Sequence, residues 1–143
     1  MTSPTSATAT MTLLVYSDDV DVRERVKLAV GRRPAAELPR VEWVECATQP
    51  AVIAAVDRGG IDVLVLDGEA VPAGGLGLAR QLKDEVYDCP PVLVLIGRAQ
   101  DAWLAAWSKA EATAPHPLDP IVVANAVAAL MRRRLSRRPA RGA

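Results

Sequence analysis

Ile61-Asp62-Val63-Leu64-Val65-Leu66-Asp67 is the stretch that decides how this chain folds. It is short, rich in Val and Leu, almost unbroken by polar residues, and closed by an acid. A strand that apolar is covered on both faces, which places it at the centre of a sheet. Pro72, Gly74, Gly75 and Gly77 follow within ten residues of Asp67, so a broken loop must lead from the carboxyl end of the strand into the next helix. Ligands of open α/β sheets gather at that rim. Asp67 therefore stands where chemistry is expected.

Working outward, a first apolar strand from Leu13 to Tyr16 runs into Ser17, Asp18, Asp19 and Asp21. Val22, Val26, Ala29 and Val30 then fall at helical spacing, and Gly31 is a natural stop. Val41 to Cys46 reads as a second, partly exposed strand. Thr48 or Gln49 starts a helix with Pro50 in its first turn and Ile53 and Val56 on its inner face, ended by Gly59-Gly60.

Beyond Asp67 and its loop, a helix is predicted from about Leu76 to Val86, and Val92 to Ile96 is another all-apolar strand. Asp101 is placed to cap a helix bearing Trp103 and Trp107 one turn apart, a pair that most simply faces the sheet or a partner. Thr113-Ala114-Pro115-His116-Pro117-Leu118-Asp119-Pro120 holds a fifth strand weakened by proline. Asp119 and Pro120 then open a final helix to about Arg134.

The alternation βαβαβαβαβα implies a parallel sheet with right-handed crossovers and helices on both faces. The expected fold is α/β, a flavodoxin-like, doubly wound five-stranded sheet of order 2-1-3-4-5. Its boundaries are residues 12–134, preceded by a disordered Ser/Thr/Ala/Pro segment, 1–11, and followed by a basic disordered tail, 135–143.

Composition agrees. Half of the 143 residues are hydrophobic, yet only Trp43, Trp103, Trp107, Tyr16 and Tyr87 are aromatic and there is no Phe, so the core must come from Val, Leu, Ile and Ala. Cys46 and Cys89 lie far apart with no metal-ligand spacing, which supports neither a zinc site nor a disulfide framework. No stretch is long and apolar enough to cross a membrane, and the start lacks a signal-peptide pattern. The expectation is a cytoplasmic protein without membrane insertion.

The formal net charge is zero, but six arginines fall in the last twelve positions, leaving 17 acids against 11 bases before them. Two rival functions attach to these features. Gly74-Gly75-Leu76-Gly77 before a helix offers amides to a nucleotide phosphate, but a dinucleotide fingerprint belongs after the first strand, where this chain has three aspartates. The arginine tail has no interleaved aromatics and more simply meets a helix C-terminal dipole, so nucleic acid is not the expected partner.

At the rim, strand one delivers Ser17, Asp18 and Asp19, strand three Asp67, strand four Ile96 and Gly97, and strand five His116. Carboxylates this close either raise one another's pKa or recruit a hard cation such as magnesium. Each aspartate alone also reads as a turn former or helix cap.

Tyr16-Ser17-Asp18-Asp19 after strand one, Asp67 closing strand three, Gly75 eight residues later and the proline-bounded stretch before the last helix resemble the CheY-like receiver domain of bacterial response regulators. The resemblance covers about Thr12 to Arg134. It implies that Asp67 is the phosphoacceptor, a carboxylate nucleophile, and that Asp18, with Asp19 as a substitute second acid, Asp67 and the backbone carbonyl of Glu69 hold Mg2+.

The chain also departs from that pattern. Counting to Arg23 puts Ser17 where the family has one of its two acids, and Pro72 falls one residue late. Ile96 replaces the Ser or Thr whose hydroxyl binds the phosphoryl oxygen. His116 replaces the lysine, before a possible cis Pro117, and imidazole is not a fixed cation at neutral pH. Thr113 falls near the family's aromatic switch position.

The resemblance thus implies an atypical stand-alone member of two-component phosphorelay signalling, a pseudo-receiver and not an enzyme, with impaired phospho-switching. It would bind a sensor kinase or effector protein through its strand-four, helix-four and strand-five face, as a monomer or weak dimer. The alternative is a working receiver phosphorylated at Asp67 with Mg2+.

Overall fold

The structure is a computed structural model and describes residues 9–71, 73–98, 101 and 103–137. Among the described residues five strands and five helices alternate: β1 (Thr10–Tyr16), α1 (Val20–Val30), β2 (Arg40–Cys46), α2 (Gln49–Arg58), β3 (Val63–Asp67), α3 (Gly75–Glu85), β4 (Val92–Ile96), α4 (Leu104–Ser108), β5 (Ala112–Pro115) and α5 (Pro120–Arg137). The strands are all parallel in the order β2-β1-β3-β4-β5, as the alternation required. β3 lies in the middle, paired to β1 and β4, and all five of its residues are buried.

Side chains of a strand alternate between faces, and here each face has its own core. Met11, Leu13, Val15, Val63, Val65, Leu93 and Leu95 meet Val26 and Val30 of α1 and Val123, Val127 and Met131 of α5. On the other face Leu14, Leu64, Leu66, Val92, Val94 and Ile96 meet Val52 and Val56 of α2 and Leu78 and Leu82 of α3. Each such aliphatic side chain contributes about 1.5–3 kcal/mol by leaving water. Branched aliphatics thus dominate both layers, completed by Met11 and Met131 on one face and by Tyr16 and Cys46 on the other.

Three helices start on caps that the sequence announces. Asp19 accepts from the Asp21 amide at the start of α1, and Thr48 accepts from Ala51 at the start of α2. Asp119 Oδ1 accepts from the Ile121 amide at 2.8 Å before α5. Gly31 and Gly59, both at positive φ, close α1 and α2.

Three boundaries differ from the sequence reading. β1 begins at Thr10 because Met11, fully buried, pairs with Val41. α5 continues to Arg137, with Leu135 packed on the core; only 138–143 of the expected tail fall outside the described residues. Asp101 does not cap α4: its carboxylate takes two hydrogen bonds from Arg98, at 3.0 and 3.2 Å, and α4 starts after Trp103 with no side-chain cap. Residues 1–8 and Pro72 also lie outside the described residues. Among those described, no helix is long and apolar enough to cross a membrane.

Candidate functional site

The parallel register delivers the ends of β1, β3, β4 and β5 to one rim. Asp67 is the last residue of β3 and is 3% exposed. Its Oδ2 accepts from the buried Ser17 hydroxyl at 2.8 Å, and its Oδ1 accepts from the Glu69 amide at 2.9 Å. His116 Nε2 lies 3.2 Å from the same Oδ1, and donates to it whenever that nitrogen carries a proton. The His116-Pro117 bond is cis.

Ser17 is itself fixed. Its hydroxyl oxygen also accepts from the Asp19 amide at 3.0 Å, and its carbonyl accepts from Arg23 Nη1 at 2.7 Å. Arg23 in turn reaches Glu45 at 3.1 Å. One turn of α1 thereby braces the end of β1.

An open pocket of about 310 Å³ lies over this arrangement, lined by Asp18, Asp19, Asp67, Glu69, Gly97 and His116, with Val22 at its edge. The expected residues are therefore brought together, except for Ile96. Its side chain turns away into the apolar layer with Leu66 and Val94 and is 2% exposed.

Sequence reasoning missed two contributors. The Tyr16 hydroxyl donates to the Ala73 carbonyl at 2.6 Å, tying the β3–α3 loop to β1. Burial pushes this phenol's pKa up, and the charges of Asp18 and Asp67 push it further. Asp18 Oδ1 makes a second tie by accepting from the Val71 amide at 3.2 Å.

The second contributor is the Glu69 carboxylate itself, where only the backbone of Glu69 was expected to matter. A Cβ on Gly97 would stand 2.8 Å from Glu69 Oε1, so the carboxylate lies against the end of β4 and would have to swing aside for any larger residue there. A lone tyrosine in an apolar strand was the signal available for the first; nothing in the sequence signalled the second.

Gly75 sets the other wall of the site. A Cβ there would stand 2.8 Å from the backbone carbon and oxygen of Asp67, so α3 starts in contact with the strand end only because this residue has no side chain.

The donor set does not fit the magnesium centre that the resemblance implies. A serine stands where one acid would be, and Asp19 Oδ1 is taken by the Asp21 amide at 2.8 Å. Asp67 has partners on both oxygens. Among the described residues no three His, Cys, Asp or Glu side chains are placed to share a metal ion.

Parallel strands in this order, with an acid-lined pocket where β1 and β3 end, define a CheY-like signalling fold. Solved receivers share it: the receiver domain of a Francisella response regulator superposes with a TM-score of 0.71 at 16% identity, covering 86% of this chain and 98% of that one. The chemotaxis response regulator CheY4 of Vibrio cholerae gives 0.68 at 16% identity over 85% and 99%. No family model matches the chain.

The chain belongs to the response regulators: it is 57% identical over 129 residues to response regulatory proteins of two Mycobacterium tuberculosis strains, covering 90% of this chain and 96% of theirs. It is a receiver domain of two-component signalling.

Proposed function

We propose that this receiver signals by constitutive protein–protein contact, as a non-enzymatic binding module whose phospho-switch is impaired. The observation that carries the proposal is the charge of the pocket. Asp18, Asp19 and Glu69 join Asp67 around it, and its lining holds one imidazole and no lysine or arginine. A dianionic phosphoryl group on Asp67 would meet like charges at close range with little to offset them. The β4 end offers it no hydroxyl, because Ile96 is part of the core.

Output in this reading leaves through β4, α4 and β5 toward a sensor kinase or effector protein. Trp103 is 70% exposed and Trp107 47%, so the pair faces outward and presents aromatic surface of the kind enriched at protein interfaces.

Intact-mass measurement after incubation with acetyl phosphate and magnesium tests the proposal. No stable phosphorylated species is expected, and tryptophan emission should not change when beryllofluoride and magnesium are added. A stoichiometric phosphoryl adduct that disappears in Asp67→Asn would overturn it and make the chain a working phospho-switch.

A further inference from the structure

On the opposite flank of the molecule from β5, α1 and the edge strand β2 enclose a groove of about 320 Å³. Leu28, Gly31, Val41 and Trp43 form its apolar part, while Glu24, Lys27 and Arg32 stand on its rim. Leu28 is 80% exposed although the other side of α1 is buried through Val26 and Val30. A projecting leucine beside an apolar recess combines a knob and a hole on one surface.

The charges are arranged in the same self-matching way. Glu24 and Leu28 lie one turn apart on α1, and Arg32, two residues past the helix end, lines the same groove. Lys27 is occupied by Glu24 and Glu45, at 3.0 and 2.9 Å. Arg32 makes no ion pair among the described residues.

If two copies of α1 are laid antiparallel about a two-fold axis at Leu28, Leu28 meets its own copy. Glu24 then faces Arg32 of the other chain, on both sides of the axis. An isologous contact requires this kind of self-complementarity.

We propose that the α1–β2 flank is a homodimer interface, with Leu28 at the two-fold axis and Glu24 paired to Arg32 across it. The contact stands apart from the acidic pocket and does not depend on how that pocket works. The patch is small, so the dimer is of the weak, reversible class. A docked receiver pair of this type leaves both the Asp67 rim and the α4 face open.

Sedimentation equilibrium of the full chain from about 1 μM to about 1 mM brackets that affinity class. A monomer–dimer equilibrium is expected within the range. Leu28→Asp should weaken it at least about tenfold, the penalty of placing two carboxylates at an apolar axis. Glu24→Arg should weaken it by about threefold, and adding Arg32→Glu to that variant should restore it, as an exposed ion pair across the axis requires.

These side chains are exposed, so far-UV circular dichroism should show each variant folded. A wild-type chain that stays monomeric throughout would overturn the proposal. So would a dimer indifferent to Leu28→Asp, or a double variant no stronger than Glu24→Arg.

Discussion

Toward β1, Asp67 meets a buried hydroxyl, a turn braced by Arg23 and a loop tied down by Tyr16 and Asp18; toward β4 and β5 it meets one imidazole and the backbone of its register partner Leu95. The first flank is braced by hydrogen bonds of Tyr16, Ser17, Asp18 and Arg23, and several of their partners come from other elements. The second is thin. β5 has only four residues, and α4 has five. The difference teaches that one strand-end aspartate can be braced by several elements on one side and by short, lightly fastened ones on the other.

The largest expected effect comes from disturbing the strand end that carries the aspartate, where α3 starts against it. In Gly75→Ala the new methyl would enter the backbone of Leu66 and Asp67, with contacts from 2.8 to 2.9 Å. Backbone cannot swing aside as a side chain can, so the cost should sit near the top of the overpacking range, about 3 kcal/mol. Alanine's helix propensity over glycine returns about 1 kcal/mol. Urea denaturation should thus show a net loss of about 2 kcal/mol, and an unchanged midpoint would mean that α3 is free to back away from the strand.

Next comes the tie from Tyr16. Tyr16→Phe removes the hydrogen bond to Ala73 and should cost about 1 kcal/mol at neutral pH. The pH dependence has a definite sign. The folded-state phenol is raised above its ordinary value of 10.0, so its contribution is complete below that value and is lost as pH rises through the folded value. The wild type should therefore lose its advantage over Tyr16→Phe in alkaline solution. A gap that widens above pH 10 would show that the phenol is not held in its neutral form.

The sheet was legible in the sequence for physical reasons that also explain what was not. Ile61 to Asp67 is buried on both faces, so its apolar run admits one placement. Asp19, Thr48 and Asp119 are helix caps, whose signals are local. The acid cluster followed from strand order, which delivers Asp18, Asp67 and His116 to one rim.

The Tyr16 hydroxyl and the Ala73 carbonyl, by contrast, are 57 residues apart, and no local pattern joins them. The lie of Glu69 over Gly97 depends on a rotamer. Asp101 read as a cap because it precedes an alanine-rich run, but Arg98 three residues earlier competes for the same carboxylate and wins it.

The smallest effect should come from the thin flank, at the contact that fastens α4. Arg80 of α3 donates to the Trp107 carbonyl at 2.8 Å, and its guanidinium lies 5.1 Å from the centre of the Trp107 ring. Asp84, 3.7 Å from Arg80, also pairs with Lys109, which ends α4 in the left-handed conformation. All of these groups are largely exposed, so Arg80→Ala should cost no more than about 1 kcal/mol in global stability.

Its local consequence should be larger than that figure suggests. A five-residue helix is too short to persist by its own propensity, so it depends on such side-chain fastenings. Amide exchange over α4 should quicken in Arg80→Ala and Trp107 should become easier to quench, while exchange in β1 and β3 stays as it was. Equal quickening on both flanks of Asp67 would break the comparison, because it would mean that α4 and the aspartate site open as one unit.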